Sequence, residues 1–167
     1  YVMLTMSSES MKRLVEVLNE RSALTNPENP VMTVEDGSID FENVSFKYSE
    51  KAKKYALSDI DLHINSGETI GVIGGTGSSK SSLIQLIPRL YDVTEGEVIV
   101  GGINVKEYDL DSLRNQVAVV LQKNVLFSGT IKENLRWGNE GATDEELIEA
   151  CQLAQAHDFI SSFPDGY

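Results

Sequence analysis

The run Ile70-Gly71-Val72-Ile73-Gly74-Gly75-Thr76-Gly77-Ser78-Ser79-Lys80-Ser81-Ser82-Leu83 constrains the fold of this chain more than any other stretch. A β-branched apolar approach enters a Gly-rich loop, and a Lys-Ser pair then opens the apolar pattern Leu83-Ile84-x-Leu86-Ile87. A strand, a loop and a helix in that order are the layout of a phosphate-binding loop. Backbone N–H groups converge on the phosphates, and the helix N-terminus adds partial positive charge. The lysine reaches the β/γ-phosphates and the serine hydroxyl holds Mg²⁺. Gly74, Gly75, Thr76, Gly77, Ser78, Ser79, Lys80, Ser81 and Ser82 are therefore candidate nucleotide-binding residues, with Ser81 also a metal ligand. Gly74, Gly77, Lys80 and Ser81 keep the register of the G-x-x-x-x-G-K-[ST] pattern, but Ser79 stands where its second glycine belongs. If that position needs φ > 0, a non-glycine residue there costs about 1–2 kcal/mol. A Gly/Ser-rich turn that merely carried a lysine would need neither the β-branched approach nor the apolar stretch behind it.

Composition narrows the classes. With 167 residues, 41% apolar and 24% charged, the chain has the length and balance of one globular domain. Its net charge of −12 argues against a nucleic-acid partner, so attraction for a nucleotide must come locally from the loop, Lys80 and a cation. The single cysteine, Cys151, excludes an internal disulfide and fits a reducing compartment. It shares helical spacing with Leu147, Ile148 and Ala154 and reads as a small core residue. No run reaches the roughly 20 apolar residues of a membrane span. The apolar start, Tyr1-Val2-Met3-Leu4-Thr5-Met6, lacks the basic n-region and cleavage site of a signal peptide. It is compatible with the end of a longer apolar helix.

Hydrophobic periodicity orders the rest. Met11, Leu14, Val15 and Leu18 predict an amphipathic helix to about Arg21, and residues 25–30 a linker. Alternation predicts strands over residues 38–46 and Leu57–Ile64, with a solvated lysine-rich loop at residues 51–54 between them. Residues 69–73 are expected to form the strand entering the phosphate loop, and residues 80–90 the helix leaving it. Residues 97–100 predict a strand, Gly101-Gly102 a tight turn, and Leu110–Asn115 a short helix capped by Asp111. The apolar run 116–121 has the composition of a strand buried on both faces of a parallel sheet. Thr143 and Glu146 form a capping box ahead of the Leu147, Ile148, Cys151, Ala154 stripe. His63 alternates outward with Asp61 and Asn65 and reads as solvated, and His157 reads as a surface residue. Neither belongs to a metal-ligand pattern.

With these residues placed, the chain resembles the nucleotide-binding domain of an ABC transporter of the exporter type. Four blocks carry the resemblance. They are Phe41-x-Asn43-Val44-x-Phe46-x-Tyr48 with Leu57-Ser58-Asp59-Ile60-x-Leu62; the phosphate loop; Arg89-Leu90-Tyr91-Asp92-x-x-x-Gly96 with Gly102 and Leu113-Arg114; and Val119-Val120-Leu121-Gln122-Lys123 with Leu126-Phe127-Ser128-Gly129-Thr130-Ile131-x-Glu133-Asn134-Leu135. The resemblance implies an α/β fold: a P-loop NTPase core with an antiparallel β-subdomain and the start of a helical subdomain. It implies adenine stacking on Tyr48, with Tyr55 a weaker second candidate. It places Gln122 on the family's Q-loop glutamine, a catalytic residue that meets Mg²⁺ or the attacking water. The implied cofactors are ATP and Mg²⁺. The implied partners are a membrane-spanning domain of the same transporter and a second nucleotide-binding domain, at the cytoplasmic face of a membrane.

On that resemblance, residues 1–24 form a helix linking to a membrane domain, 25–37 a linker, and 38–167 a partial ATP-binding cassette domain that ends before the signature loop. The family's Asp-Glu pair follows an apolar strand, whereas the run 116–121 leads into Gln122. The expected function is ATP hydrolysis that drives substrate export in the intact transporter, with this piece inactive alone. Two alternatives stay open: a degenerate, regulatory half of a heterodimeric exporter, supported by Ser79, and a soluble ABC ATPase, which the leading helix opposes. The transported substrate is not legible.

Overall fold

The spacing of buried residues along the first strand dictates a bulge. Phe41, Val44 and Phe46 all lie on the core face, so a step of three interrupts a strict two-residue alternation. In the computed structural model, which describes the backbone of residues 2–167 and the side chains of Ser8 and residues 10–167, the interruption sits at Asn43, at φ 48°. Strand β1 (Ile39–Phe46) pairs antiparallel with β2 (Leu57–Ile64) and with β3 (Glu95–Val100), and both pairings shift register around Asn43. The Asp61 carboxylate accepts the Asn43 N–H at 2.8 Å, satisfying a donor the bulge takes out of the ladder. The two-residue strand β4 (Ile103–Asn104) completes a sheet of order β2-β1-β3-β4.

The described chain divides into two compact units, one ending at Ala118 and the other running from Val119 to Tyr167. The first holds helix α1 (Val2–Asn19), the sheet, α2 (Lys80–Leu86), a 3₁₀ turn at Val105–Glu107 and α3 (Leu110–Asn115). Its core joins Phe41, Val44 and Phe46 to Val98 and Val100 of β3, Leu83 and Leu86 of α2, Tyr108 and Leu113. The Tyr108 hydroxyl, fully buried, donates to the Val100 carbonyl at 2.9 Å. Asn26 ties the linker segment to α3, its amide oxygen accepting the Leu110 N–H at 2.9 Å. The cap of α3 is Asp109, not the expected Asp111: the helix begins at Leu110, so residue 109 alone has its carboxylate in reach of the Ser112 N–H. That hydrogen bond holds the Asp109 carboxyl below the usual range.

Two expected strands are not formed. Residues 69–73 and 116–121 have no ladder partner among the described residues, and Ile73 and Val120 are 98% and 92% exposed. A strand of a parallel sheet exists only through its neighbours on either side, which supply both the hydrogen bonds and the cover. Gln116 and Val117 instead close the turn after α3. Helix α2 also ends earlier than its apolar pattern, at Leu86, because Arg89 adopts a left-handed φ of 49°. The stripe on α1 (Met11, Leu14, Val15, Leu18) is exposed. His63, solvated as expected, nonetheless pairs with Asp40, its cross-strand neighbour, which raises its pKa above the ordinary value.

The second unit is helical: α4 (Ile131–Leu135), α5 (Asp144–Leu153) and α6 (His157–Ser161). The Thr143–Glu146 capping box opens α5 as expected, and a second box, Thr130–Glu133, opens α4. Asp144 receives both Lys132 of α4 and Arg136, which caps its C-terminal end, and these contacts, Lys132 foremost, keep its carboxyl below the usual range. Leu147, Cys151 and Ile160 are buried, which confirms Cys151 as a core residue. His157 is half-buried, its Nδ1 2.9 Å from the Tyr167 hydroxyl.

Candidate nucleotide-binding site

Glycine and serine dominate residues 74–79 because the chain must reverse within a few residues before α2 begins. The Ser78 N–H closes a turn onto the Gly75 carbonyl at 3.3 Å, and Gly77 takes φ 81°. The Lys80 ammonium then folds back over the loop, donating to the Gly74 carbonyl at 2.7 Å, the Gly75 carbonyl at 2.8 Å and the Ser78 hydroxyl at 3.1 Å. The amine sits inside the loop's curve. A Cβ on Gly74 would stand 2.6 Å from the Ser78 hydroxyl oxygen and 3.7 Å from the Lys80 nitrogen, so a side chain there would displace the Ser78 hydroxyl that Lys80 holds. Thr76 forms the turn with Gly77, and Ser81 is exposed on the first turn of α2, where the N–H groups have no intrahelical partner. Its hydroxyl is the hard oxygen donor that Mg²⁺ prefers.

Ser79 is the N-cap of α2, at φ 60° and ψ 22°, and its side chain makes no capping bond. The left-handed conformation that glycine would supply is therefore held by a serine. Ser79→Gly should remove this strain, outweigh the added unfolded-state entropy, and stabilise the chain by about 1 kcal/mol. Tm should rise by about 2–4 °C, and ATP affinity by up to roughly five-fold if the strain is felt in the loop. Paired thermal melts check it; an unchanged or lowered Tm would mean that the loop tolerates serine without cost.

Tyr48 lies just past β1 and is 56% exposed. Its hydroxyl is 2.7 Å from the Ser82 hydroxyl, so the structure brings the expected base platform and the phosphate-loop helix together. Tyr55 is engaged elsewhere, donating to the Glu95 carboxylate while the Lys47 ammonium lies 4.1 Å over its ring. Gln122 is exposed and belongs to the second unit, where Asn134 organises the segment downstream of it. The Asn134 side chain accepts the Phe127 N–H at 2.8 Å and donates to the Phe127 and Thr130 carbonyls at 3.0 and 2.9 Å. Phe127 stacks on Trp137, with ring centroids 4.7 Å apart.

Arg89, Tyr91, Asp92 and Arg114 carry the family resemblance in the sequence without a site role of their own. Arg89 is buried and pairs with Asp92 at 2.7 Å, and Arg114 donates to the Pro88 and Arg89 carbonyls. Tyr91 lies in the segment so pinned, 5.2 Å from the Tyr48 ring. A charged pair flanking an aromatic just after an apolar helix was the available signal.

The family comparison agrees with this geometry. Residues 57–166 match the ABC transporter family, and the chain belongs to that family. It is 47% identical over 165 residues, 98% of its length, to a Bacillus subtilis protein whose name describes a multidrug export ATP-binding/permease protein. A similarly named Staphylococcus aureus protein is 48% identical over 134 residues, 80% of this chain. The chain spans only 28% and 23% of these two relatives. A bacterial Atm1-family ABC exporter solved with ATP bound superposes with a TM-score of 0.88 at 28% identity, covering all of this chain and 29% of that one. The α/β class with an antiparallel β-subdomain and the beginning of a helical subdomain therefore stands.

Proposed function

We propose that this chain binds ATP with Mg²⁺ as part of the ATP-binding domain of an ABC exporter. Residues 74–82 would hold the phosphates and Tyr48 would stack on adenine. The observation that carries this reading is the hydroxyl contact between Tyr48 and Ser82, which sets an exposed aromatic face beside a loop whose curve holds the Lys80 ammonium. Lys80 would exchange its carbonyl partners for phosphate oxygens and neutralise them. Ser81 would offer its hydroxyl to Mg²⁺, and the cation would supply positive charge that offsets the phosphates. Gln122 would be the catalytic residue that meets the cation or the attacking water.

In the whole transporter, hydrolysis would drive a substrate across a membrane, with a fused membrane-spanning domain and a second nucleotide-binding domain as partners at the cytoplasmic face. The permease names of the relatives support the fused membrane-spanning domain. On the same reading residues 1–24 link to the membrane domain, 25–37 are a linker and 38–167 belong to the cassette. No described helix is long and apolar enough to cross a membrane. Alone, this chain would turn over no ATP, since no run in it substitutes for the family's apolar strand ending in Asp-Glu; the best candidate, 116–121, leads into Gln122, the Q-loop position. A degenerate regulatory half is the second reading, supported by the left-handed Ser79.

Base stacking on an aromatic face is worth about 1–3 kcal/mol, so Tyr48→Ala should weaken ATP binding by about ten-fold or more. Calorimetry on the two chains checks it, and equal affinities would move adenine away from Tyr48.

A further inference from the structure

An exposed tyrosine in a turn ordinarily exchanges rotamers freely. Tyr48 is held on three sides. Its ring meets Phe46 at 4.8 Å and 72°, and Tyr91 at 5.2 Å and 88°, both edge-to-face, the arrangement aromatic quadrupoles prefer. Its hydroxyl meets Ser82. Phe46 is 1% exposed and forms a fixed wall of the core, whereas Tyr91 is 40% exposed and needs its own support to act as a wall.

That support is the segment around it. The Arg89 N–H reaches the Leu86 carbonyl at 3.1 Å and the Leu90 N–H reaches the Gln85 carbonyl at 3.0 Å, closing α2 in a Schellman pattern. The left-handed residue of that pattern is usually glycine, and here it is Arg89. Its guanidinium, with the side chain 6% exposed, binds Asp92 at 2.7 Å and the Thr25 carbonyl at 3.3 Å. Arg114 holds the Pro88 and Arg89 carbonyls at 3.2 and 2.9 Å. A strained backbone and a buried guanidinium persist only where surrounding contacts over-determine them. The two residues of this ion pair flank Leu90 and Tyr91 and anchor the chain on both sides of the Tyr91 ring, which also packs on Phe46 at 5.5 Å. Tyr48 and Tyr91 line one cleft of about 620 Å³, together with Leu24, Lys47 and Thr94.

We propose that Tyr91 is a positioning residue for the base platform: clamped by the Arg89–Asp92 pair, it holds the Tyr48 ring in the orientation that receives a purine. This rests on the reading that Tyr48 takes the base. Its effect is confined to the base, because Tyr91 supports the aromatic ring while the phosphate loop is built from Lys80 and the backbone of residues 74–79.

The test compares ATP with inorganic tripolyphosphate, which has the phosphates and no base, by calorimetry on this chain. Tyr91→Ala should weaken ATP by about three- to ten-fold and leave tripolyphosphate unchanged. Tyr91→Phe, which keeps the ring, should bind both as the parent chain does. Should Tyr91→Ala fail to fold by circular dichroism, Tyr91→Leu carries the same readings. Parent-like ATP affinity in Tyr91→Ala while Tyr48→Ala is weakened overturns the positioning role and leaves the base reading standing. Parent-like ATP affinity in Tyr48→Ala overturns both. Equal losses for ATP and tripolyphosphate in Tyr91→Ala would show damage to the loop as a whole, and would also overturn the proposal.

Discussion

Lys80→Ala is expected to lower ATP affinity about 100-fold, the largest binding effect any single side chain of the loop should show. Hydrogen bonds to charged groups contribute about 1.5–3 kcal/mol each. A lysine that trades the Gly74 and Gly75 carbonyls for two phosphate oxygens therefore supplies about 3 kcal/mol, or two decades in Kd. Alanine also removes the tie that closes the loop on itself, so the loss alone would not separate charge from loop order. Lys80→Gln separates them. Its amide still donates to a carbonyl but brings no positive charge to the phosphates, and its affinity should fall nearly as far as that of alanine. Titration of both variants with ATP decides the matter: near-parent affinity in Lys80→Gln would mean that Lys80 acts by ordering the loop.

The parts of the fold legible in the sequence are those specified within a few residues. Leu57–Ile64 alternates with a period of two, Leu110–Asn115 lies between turn residues, and Thr143 with Glu146 sits at capping spacing; all three form as expected. The phosphate loop was legible for the same reason, since its glycines, Lys80 and the following apolar turn are contiguous. What depends on a distant partner was not legible. Residues 69–73 and 116–121 carry the composition of buried strands, but composition cannot supply a neighbouring strand, and both runs remain unpaired with exposed apolar side chains. The end of α2 was misjudged because its apolar pattern continues to Leu90, while the backbone turns left-handed at Arg89 under contacts from Asp92 and Arg114. The charged pair around Tyr91 marks its segment in the sequence but not its role, which lies in a ring distant in sequence and adjacent only in the fold. The cap of α3 was a local error, a choice between two aspartates two residues apart, settled by which one reaches the Ser112 N–H.

Gly96→Ala should be among the most destabilising single-methyl additions in the described chain, lowering stability by about 3–4 kcal/mol and Tm by about 10 °C. Gly96, the second residue of β3, lies opposite the β1 bulge at φ 75°, and a Cβ there would stand 2.3 Å from both the Glu42 and the Asn43 carbonyl oxygens. No rotamer relieves such a contact, because every atom involved is backbone. The bulge would have to open or β3 would have to slip, and either change disturbs the register that carries Val44 and Phe46 into the core. Gly102 isolates the clash from the dihedral. It has nearly the same φ, 77°, but nothing lies within 4 Å of its added Cβ. Gly102→Ala therefore costs only the left-handed preference, about 1–2 kcal/mol, and its Tm should fall by no more than a few degrees. Parallel melts of the two variants read the difference directly, and equal shifts would mean that the sheet absorbs the methyl group. The consequence extends to the site, because β1 ends at Phe46 and Tyr48 follows two residues later. A Gly96→Ala chain that still folds should bind ATP more weakly while keeping its affinity for tripolyphosphate, since the displaced strand carries the base platform and α2 carries the phosphate loop.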